Sequence, residues 1–96
     1  MNVATLIEGF ERKQTELKSF IQHLRQEKKR RGRYYAWARF ESCQDQFREF
    51  YETYIEWRSD AEYEVYSDLV ERFLQRVLWA QDLLFSLRLR TYYVIG

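Results

Sequence analysis

Residues 66–87, YSDLVERFLQRVLWAQDLLFSL, carry the strongest helical pattern in the chain. Apolar side chains recur there at alternating spacings of three and four, which predicts a helix that packs along one seam. The seam contains Tyr66, Val70, Phe73, Val77, Ala80, Leu84 and Leu87. Other faces carry Leu69, Leu74, Leu78, Trp79, Leu83 and Phe85. A helix that is apolar nearly all round is usually buried on several sides, and a three-helix monomer cannot enclose it fully. The excess therefore predicts an oligomer or a bound partner.

Two earlier segments repeat this spacing. The first has its seam at Val3, Ile7, Phe10, Gln14, Leu17, Ile21 and Leu24. The second has Trp37, Phe40, Cys43, Phe47, Phe50, Tyr54 and Trp57, with Tyr51 and Ile55 beside it. Because the 96 residues contain no proline, the strongest breaker of helix interiors, these helices can run long. We expect helices over about 3–30 and 33–58, the first ending at its Lys/Arg run and Gly32.

The third helix has a predicted start signal. Ser59-Asp60-Ala61-Glu62 fits a capping box, so we expect a helix over about 60–89. A continuous second and third helix is an alternative, because no glycine separates them. Residues 91–96, TYYVIG, favour a strand or a disordered end. The sequence thus predicts one all-α domain over 1–96: three long antiparallel helices in an up-down-up bundle, with a short extended C-terminal tail.

Length, cysteine content and hydropathy exclude several protein classes. A chain of 96 residues has room for one domain. A single cysteine cannot form an internal disulfide, which excludes a disulfide-stapled secreted scaffold and favours a cytoplasmic location. Residues 1–10 lack the pattern of a secretory signal. The most apolar window, 77–87, falls short of the ~20 residues of a bilayer span, so we expect no membrane span.

Charged residues are strongly segregated although the formal net charge is only +1. Residues 25–39 contain seven Lys or Arg and one Glu, a balance of +6. Residues 49–71 contain eight Asp or Glu and one Arg, a balance of −7. In an up-down-up bundle the first connection and the C-terminus of the third helix lie at the same end of the bundle. Arg88 and Arg90 are therefore expected beside the basic segment. We expect an elongated molecule with oppositely charged ends.

The basic end is the predicted binding site. Its candidate residues are Arg25, Lys28, Lys29, Arg30, Arg31, Arg33, Tyr34, Tyr35, Trp37, Arg88 and Arg90. One interpretation is a solvated helix terminus, where cations interact favourably with the helix dipole. A second is a single-stranded nucleic-acid site, because cations beside stacking rings are typical of such sites. The third is an acidic protein partner or an anionic membrane surface.

No residue pattern indicates catalysis or metal binding. The single histidine, His23, lacks the partners that a general base or a metal site needs. Cys43 lies between Phe40 and Phe47 on an apolar seam, where a buried structural thiol is expected. A di-iron helical bundle uses Glu-x-x-His pairs, in which a glutamate precedes the histidine by three residues. Phe20 occupies that position before His23, so the pair is absent. Three scattered glycines cannot form a phosphate loop. We expect a non-enzyme without metal or cofactor.

The aromatic content carries the functional prediction. Eight tyrosines, seven phenylalanines and three tryptophans are too many for one small core, and a tyrosine hydroxyl prefers water or a partner. Tyr, Trp and Arg are also enriched at interface hot spots. The sequence therefore predicts a non-catalytic protein–protein interaction module, such as a small adaptor, inhibitor or assembly subunit, that forms a homodimer. The alternative is an RNA- or single-stranded-nucleic-acid-contacting subunit of a ribonucleoprotein complex that uses residues 25–37.

Overall fold

The computed structural model describes residues 3–30 and 35–92, which form three long helices. Helix α1 spans Val3–Lys29, α2 spans Trp37–Arg58 and α3 spans Ser67–Arg90. Strand β1, Tyr35–Ala36, precedes α2, strand β2, Thr91–Tyr92, follows α3, and one turn of 3-10 helix covers Tyr63–Val65. The molecule measures 52 × 22 × 17 Å. The prediction of an elongated all-α bundle is confirmed.

Helix α3 is the central element, because it packs against both α1 and α2. At one end of the bundle the Arg90 guanidinium donates hydrogen bonds to the carbonyl oxygens of Lys28 and Arg30, which joins the ends of α3 and α1. Strand β1 pairs in parallel with β2 at the same end. Helix α2 therefore begins where α1 and α3 finish and runs antiparallel to both, as the up-down-up prediction requires.

The core follows the three apolar seams. Its main cluster includes Leu17, Leu24, Phe40, Phe73 and Leu87. A smaller cluster toward the other end holds Phe10, Tyr66 and Val70. Trp57 joins the two clusters, since its ring centroid is 4.1 Å from that of Phe10 and 4.8 Å from that of Phe73. The core therefore extends along most of the bundle.

The connection between α2 and α3 is longer than the sequence predicts. Ser59 follows the last residue of α2, where its N–H donates to the Ile55 carbonyl at 3.0 Å. The Asp60 carboxylate accepts the N–H of Glu62 at 2.7 Å, and this local bond stabilises a turn in competition with a helix. The predicted capping box and helix start at residue 60 are therefore wrong, because α3 begins at Ser67. The predicted break between the two helices is confirmed.

The second helix also begins later than predicted. Tyr35–Ala36 is extended because it pairs with β2, so α2 starts at Trp37 rather than at 33. The chain is likewise extended at Thr91–Tyr92, as expected for the tail. The rest of the predicted tail, residues 93–96, and the predicted stop at Gly32 lie outside the described residues. No helix in the two described ranges has the length and hydropathy that crossing a bilayer requires.

Candidate functional site

The predicted cationic residues meet at one end of the bundle, formed by the C-terminal ends of α1 and α3 and the start of α2. We call this end the basic pole. Its exposed cationic side chains are Lys28, Lys29, Arg30 and Arg88. Arg90 lies at the same pole but is engaged within the fold, since its guanidinium bonds the two carbonyl oxygens at the end of α1. The expectation that Arg88 and Arg90 join the basic segment is confirmed.

Two aromatic residues described at the basic pole, Tyr35 and Trp37, are less accessible than a stacking site requires. Tyr35 is only 3% exposed, and its hydroxyl lies 3.9 Å from the Cys43 sulfur. Trp37 is half-buried, with the Arg88 guanidinium 5.1 Å from its ring centroid. Tyr35 is therefore a core residue and does not offer its ring to a partner, because burial of the ring attaches β1 to the bundle. Cys43 is buried, as predicted.

The remaining predicted site residues are Arg25, Arg31, Arg33 and Tyr34. Arg25 lies on α1 with its guanidinium 5.8 Å from the Trp79 ring centroid, in a cation–π contact with α3. Arg31, Arg33 and Tyr34 lie outside the described residues.

A polar cluster around one buried carboxylate lies beside the basic pole, between α1 and α2. Glu27 is only 5% exposed and accepts a hydrogen bond from the Arg39 guanidinium at 2.7 Å. Arg30 Nε at 3.8 Å and His23 Nε2 at 4.0 Å flank the same carboxylate. The Glu27 Oε2 atom is buried and has no hydrogen-bond partner among the described residues. The cluster connects the last turns of α1 to the first turn of α2.

The surroundings set the ionisation of the groups in this cluster. Burial raises the pKa of Glu27, but the hydrogen bond from Arg39, the Tyr35 hydroxyl and the charges of Arg39 and Arg30 outweigh it, so the pKa is lower than usual. Burial raises the pKa of the Cys43 thiol. Burial and interaction with Glu27 raise the pKa of Tyr35. Glu27 is therefore charged at neutral pH, while Cys43 stays protonated and is poorly suited to act as a nucleophile.

The polar cluster borders an open groove of about 430 Å³ between α1 and α2, which Ser42 and Gln46 also line. Within residues 3–30 and 35–92, no three His, Cys, Asp or Glu side chains lie close enough together to hold a metal ion. The charged groups of the cluster contact one another. Its clearest role is to hold α1 against α2.

A row of large apolar side chains is exposed on α3. Leu78, Phe85 and Leu89 share one helical face, because they are spaced seven and four residues apart. Phe85 is 63% exposed and Leu89 is 73% exposed. Neither side chain is covered by α1 or α2, so this face of the central helix is open.

Helix α2 continues this apolar surface. Tyr51 and Ile55 are exposed one turn apart, and the Tyr51 ring stacks at 6.3 Å on Phe47. Phe47 and Phe85 both line a shallow groove of about 250 Å³ between α2 and α3. We call the combined surface the partner face; it consists of Phe47, Tyr51, Ile55, Leu78, Phe85 and Leu89. Contiguous exposed apolar surfaces of this kind mark interaction sites.

The opposite end of the bundle is negatively charged. This acidic pole comprises the exposed carboxylates of Asp60, Glu62, Glu64 and Asp68, in the α2–α3 connection and the first turn of α3. None of them forms an ion pair with a Lys or Arg of the described residues. Lys29 ends α1 at one pole and Glu62 lies in the connection at the other, which confirms the predicted separation of charge.

The candidate binding residues predicted from the sequence include no partner-face residue, although the apolar excess of α3, with Leu78 and Phe85, predicted an oligomer or a bound partner. The sequence does contain an indication of this surface, namely apolar residues outside the main seam of each helix. On α3 these are Leu78 and Phe85, and on α2 they are Tyr51 and Ile55. Periodicity alone places such residues on a second helical face. It cannot tell whether a neighbouring helix covers that face.

Comparison of the chain with protein-family models, with curated protein sequences and with solved structures found no match. The geometry of the partner face and of the two poles is therefore the basis for a functional proposal.

Proposed function

We propose that this chain is a non-catalytic protein–protein interaction module whose partner face pairs with a second copy of itself. The exposure of Phe85 and Leu89 beside the α2–α3 groove is the observation that carries the proposal. Complete burial of a Leu or Phe side chain stabilises by ~1.5–3 kcal/mol. Each of these side chains retains more than half of its surface for burial in an interface, so association through this face is favourable.

The charges favour an antiparallel pair. Arg88 lines the groove beside Phe85, near the basic pole. Glu71 stands two turns before Leu78 on the same face of α3, toward the acidic pole. Antiparallel pairing through α3 brings Arg88 of each copy toward Glu71 of the other, and opposite charges steer association and fix register. The pair closes about a two-fold axis, which leaves other surfaces for an adaptor, inhibitor or assembly role.

Sedimentation velocity on matched variants tests this proposal. The wild type should sediment as a dimer, with twice the chain mass of 12.0 kDa, and dissociate on dilution. Phe85→Glu places a charge in the partner face and should sediment as a monomer. Gln22→Glu adds the same charge at an exposed position of α1 and should remain dimeric. A wild type that stays monomeric at all concentrations, or equal effects of the two variants, would contradict the proposal.

The basic pole supports a second candidate, contact with RNA or single-stranded DNA. Lys28, Lys29 and Arg30 are exposed together there, although buried Tyr35 supplies no stacking ring. Binding by several cations weakens steeply between about 50 and 200 mM salt. Fluorescence anisotropy with labelled oligouridylate tests this: binding that the Lys28→Glu/Lys29→Glu double variant loses would support the candidate, and unchanged affinity would refute it.

A further inference from the structure

The acidic pole contains a further concave surface, separate from the partner face. A groove of about 560 Å³ lies between the first turns of α1 and the α2–α3 connection. This volume is within the ~300–1,000 Å³ range of ligand sites. We propose that the groove binds a basic peptide segment of a partner protein, with a Lys or Arg side chain at its carboxylates and a neighbouring aliphatic side chain on its floor.

The floor of the groove is apolar. Leu6 and Leu69 line it as half-buried residues, and Ile7 and Val65 line it as exposed ones. The four side chains come from α1, the connection and the first turn of α3, so the folded bundle assembles the surface. An aliphatic ligand side chain placed here removes apolar area from water on both partners.

The rim of the groove is negatively charged and uncompensated. Asp60, Glu62 and Asp68 line it, and none of them forms an ion pair within the described part of the chain. The Asp60 carboxylate is held by the N–H of Glu62 at 2.7 Å, which fixes its orientation. Clustered carboxylates repel one another, so a cation placed between them relieves this repulsion.

A buried hydroxyl at the groove wall gives an independent indication of a missing ligand. Tyr66 lines the groove, is only 6% exposed, and its hydroxyl interacts with the Asp60 carboxylate but makes no hydrogen bond of ordinary length among the described residues. Its ring packs on Phe10 at 5.5 Å and on Tyr63 at 6.5 Å. Burial raises the pKa of Tyr66 to about 12, and the interaction of its hydroxyl with the Asp60 carboxylate and the charge of Glu62 contribute, which places the hydroxyl at the acidic side of the groove.

An unpartnered buried hydroxyl is costly, whereas a donor from a ligand would satisfy it. A Lys ammonium or Arg guanidinium beside Asp60 can donate to both the carboxylate and the Tyr66 oxygen. A neutral donor leaves the charge of the carboxylates uncompensated, and an anionic ligand, nucleic acid included, is repelled by the rim. The combination of apolar floor, acidic rim and unsatisfied acceptor therefore selects a peptide that is both cationic and aliphatic.

Amide NMR spectra of the full chain, titrated with the peptide Ac-Lys-Leu-Leu-Lys-Leu-Lys-NH2, test the proposal. Saturable shifts should concentrate at residues 6–7 and 60–69. The peptide with Glu in place of Lys should cause none, and spermidine, which supplies charge without an aliphatic side chain, should bind at least about tenfold more weakly. Shifts centred on the partner face, or equal binding of spermidine, would overturn the proposal.

Three variants distinguish binding in this groove from non-specific attraction to negative charge. Tyr66→Phe removes the unsatisfied hydroxyl, so the fold should keep or raise its urea midpoint while peptide affinity falls about fivefold. Asp60→Asn/Asp68→Asn should weaken binding at least about tenfold, whereas Asp45→Asn, an exposed control on α2, should not. Unchanged affinity of Tyr66→Phe, or an equal loss in Asp45→Asn, would overturn the proposal. These outcomes do not depend on whether the chain forms a dimer.

Discussion

Replacement of Phe73 or Phe85 by alanine compares the same residue in two environments on one helix. Phe73 is fully buried, with its ring 4.8 Å from that of Trp57, whereas Phe85 is 63% exposed. Removing a buried phenylalanine ring costs ~3–5 kcal/mol, because its contacts are lost and a cavity remains. Phe85 buries about a third of its surface in one copy, so scaling the ~1.5–3 kcal/mol of complete burial gives a loss of about 1 kcal/mol or less.

Urea unfolding followed by circular dichroism measures both effects. In dilute solution, where the chain is monomeric, Phe73→Ala should lower the free energy of unfolding by ~3–5 kcal/mol. That is a large part of the ~5–15 kcal/mol typical of a folded domain. Phe85→Ala should stay within about 1 kcal/mol of the wild type. At higher concentration the wild type should gain stability through dimerisation, and Phe85→Ala should gain much less.

Two results would refute this reasoning. Equal costs for the two variants in dilute solution would show that Phe85 is buried within one copy. An identical concentration dependence for Phe85→Ala and the wild type would show that the partner face takes no part in self-association.

Charge, pH and thiol reactivity provide the remaining tests. Arg88→Glu should weaken the dimer, and adding Glu71→Arg should restore it in low-salt sedimentation; no rescue would contradict the antiparallel arrangement. In the folded protein the pKa of Glu27 lies below its usual value of 4.5. The ionised carboxylate therefore stabilises the fold above pH 4.5, and this stabilisation is lost as the pH falls through the pKa of the folded state. Acid unfolding should therefore be less steep in Glu27→Gln, and an unchanged profile would contradict this. Buried Cys43 should react slowly with Ellman's reagent until urea is added, and rapid reaction of the native protein would contradict its burial.

The three helices could be predicted from the sequence because apolar spacing is a local property. The seam that includes Phe73, Val77 and Leu87 is fully or almost fully buried in the structure. The separation of charge also followed, since an up-down-up order places the basic segment 25–39 at one end and the connection within the acidic segment 49–71 at the other. Both predictions can be made without knowing which residues that are far apart in the sequence contact one another.

The helix boundaries were less predictable, because competing interactions decide them. Ser59 and Glu62 fit a capping box by residue type, yet the Asp60 carboxylate between them accepts a hydrogen bond from the Glu62 N–H and stabilises a turn. The start of α2 depends on pairing between Tyr35–Ala36 and Thr91–Tyr92, which are far apart in the sequence. A local pattern carries no information about such a partner.

The candidate site was only partly predictable for the same reason. The cations of the basic pole were identifiable from their density along the chain. The burial of Tyr35 and the exposure of Phe85 depend on which helix lies beside each ring, and composition does not determine this. Both residues are aromatic, and only the packing of the bundle distinguishes a core ring from an exposed ring.

Isotope-filtered NOE spectra of a mixture of labelled and unlabelled chains test the self-association most directly, because they detect only contacts between copies. The pairing proposed here predicts cross-peaks from the Phe85 ring of one copy to the Leu78 methyl groups of the other. A spectrum without such cross-peaks, or one in which α1 supplies the contacts between copies, would contradict it.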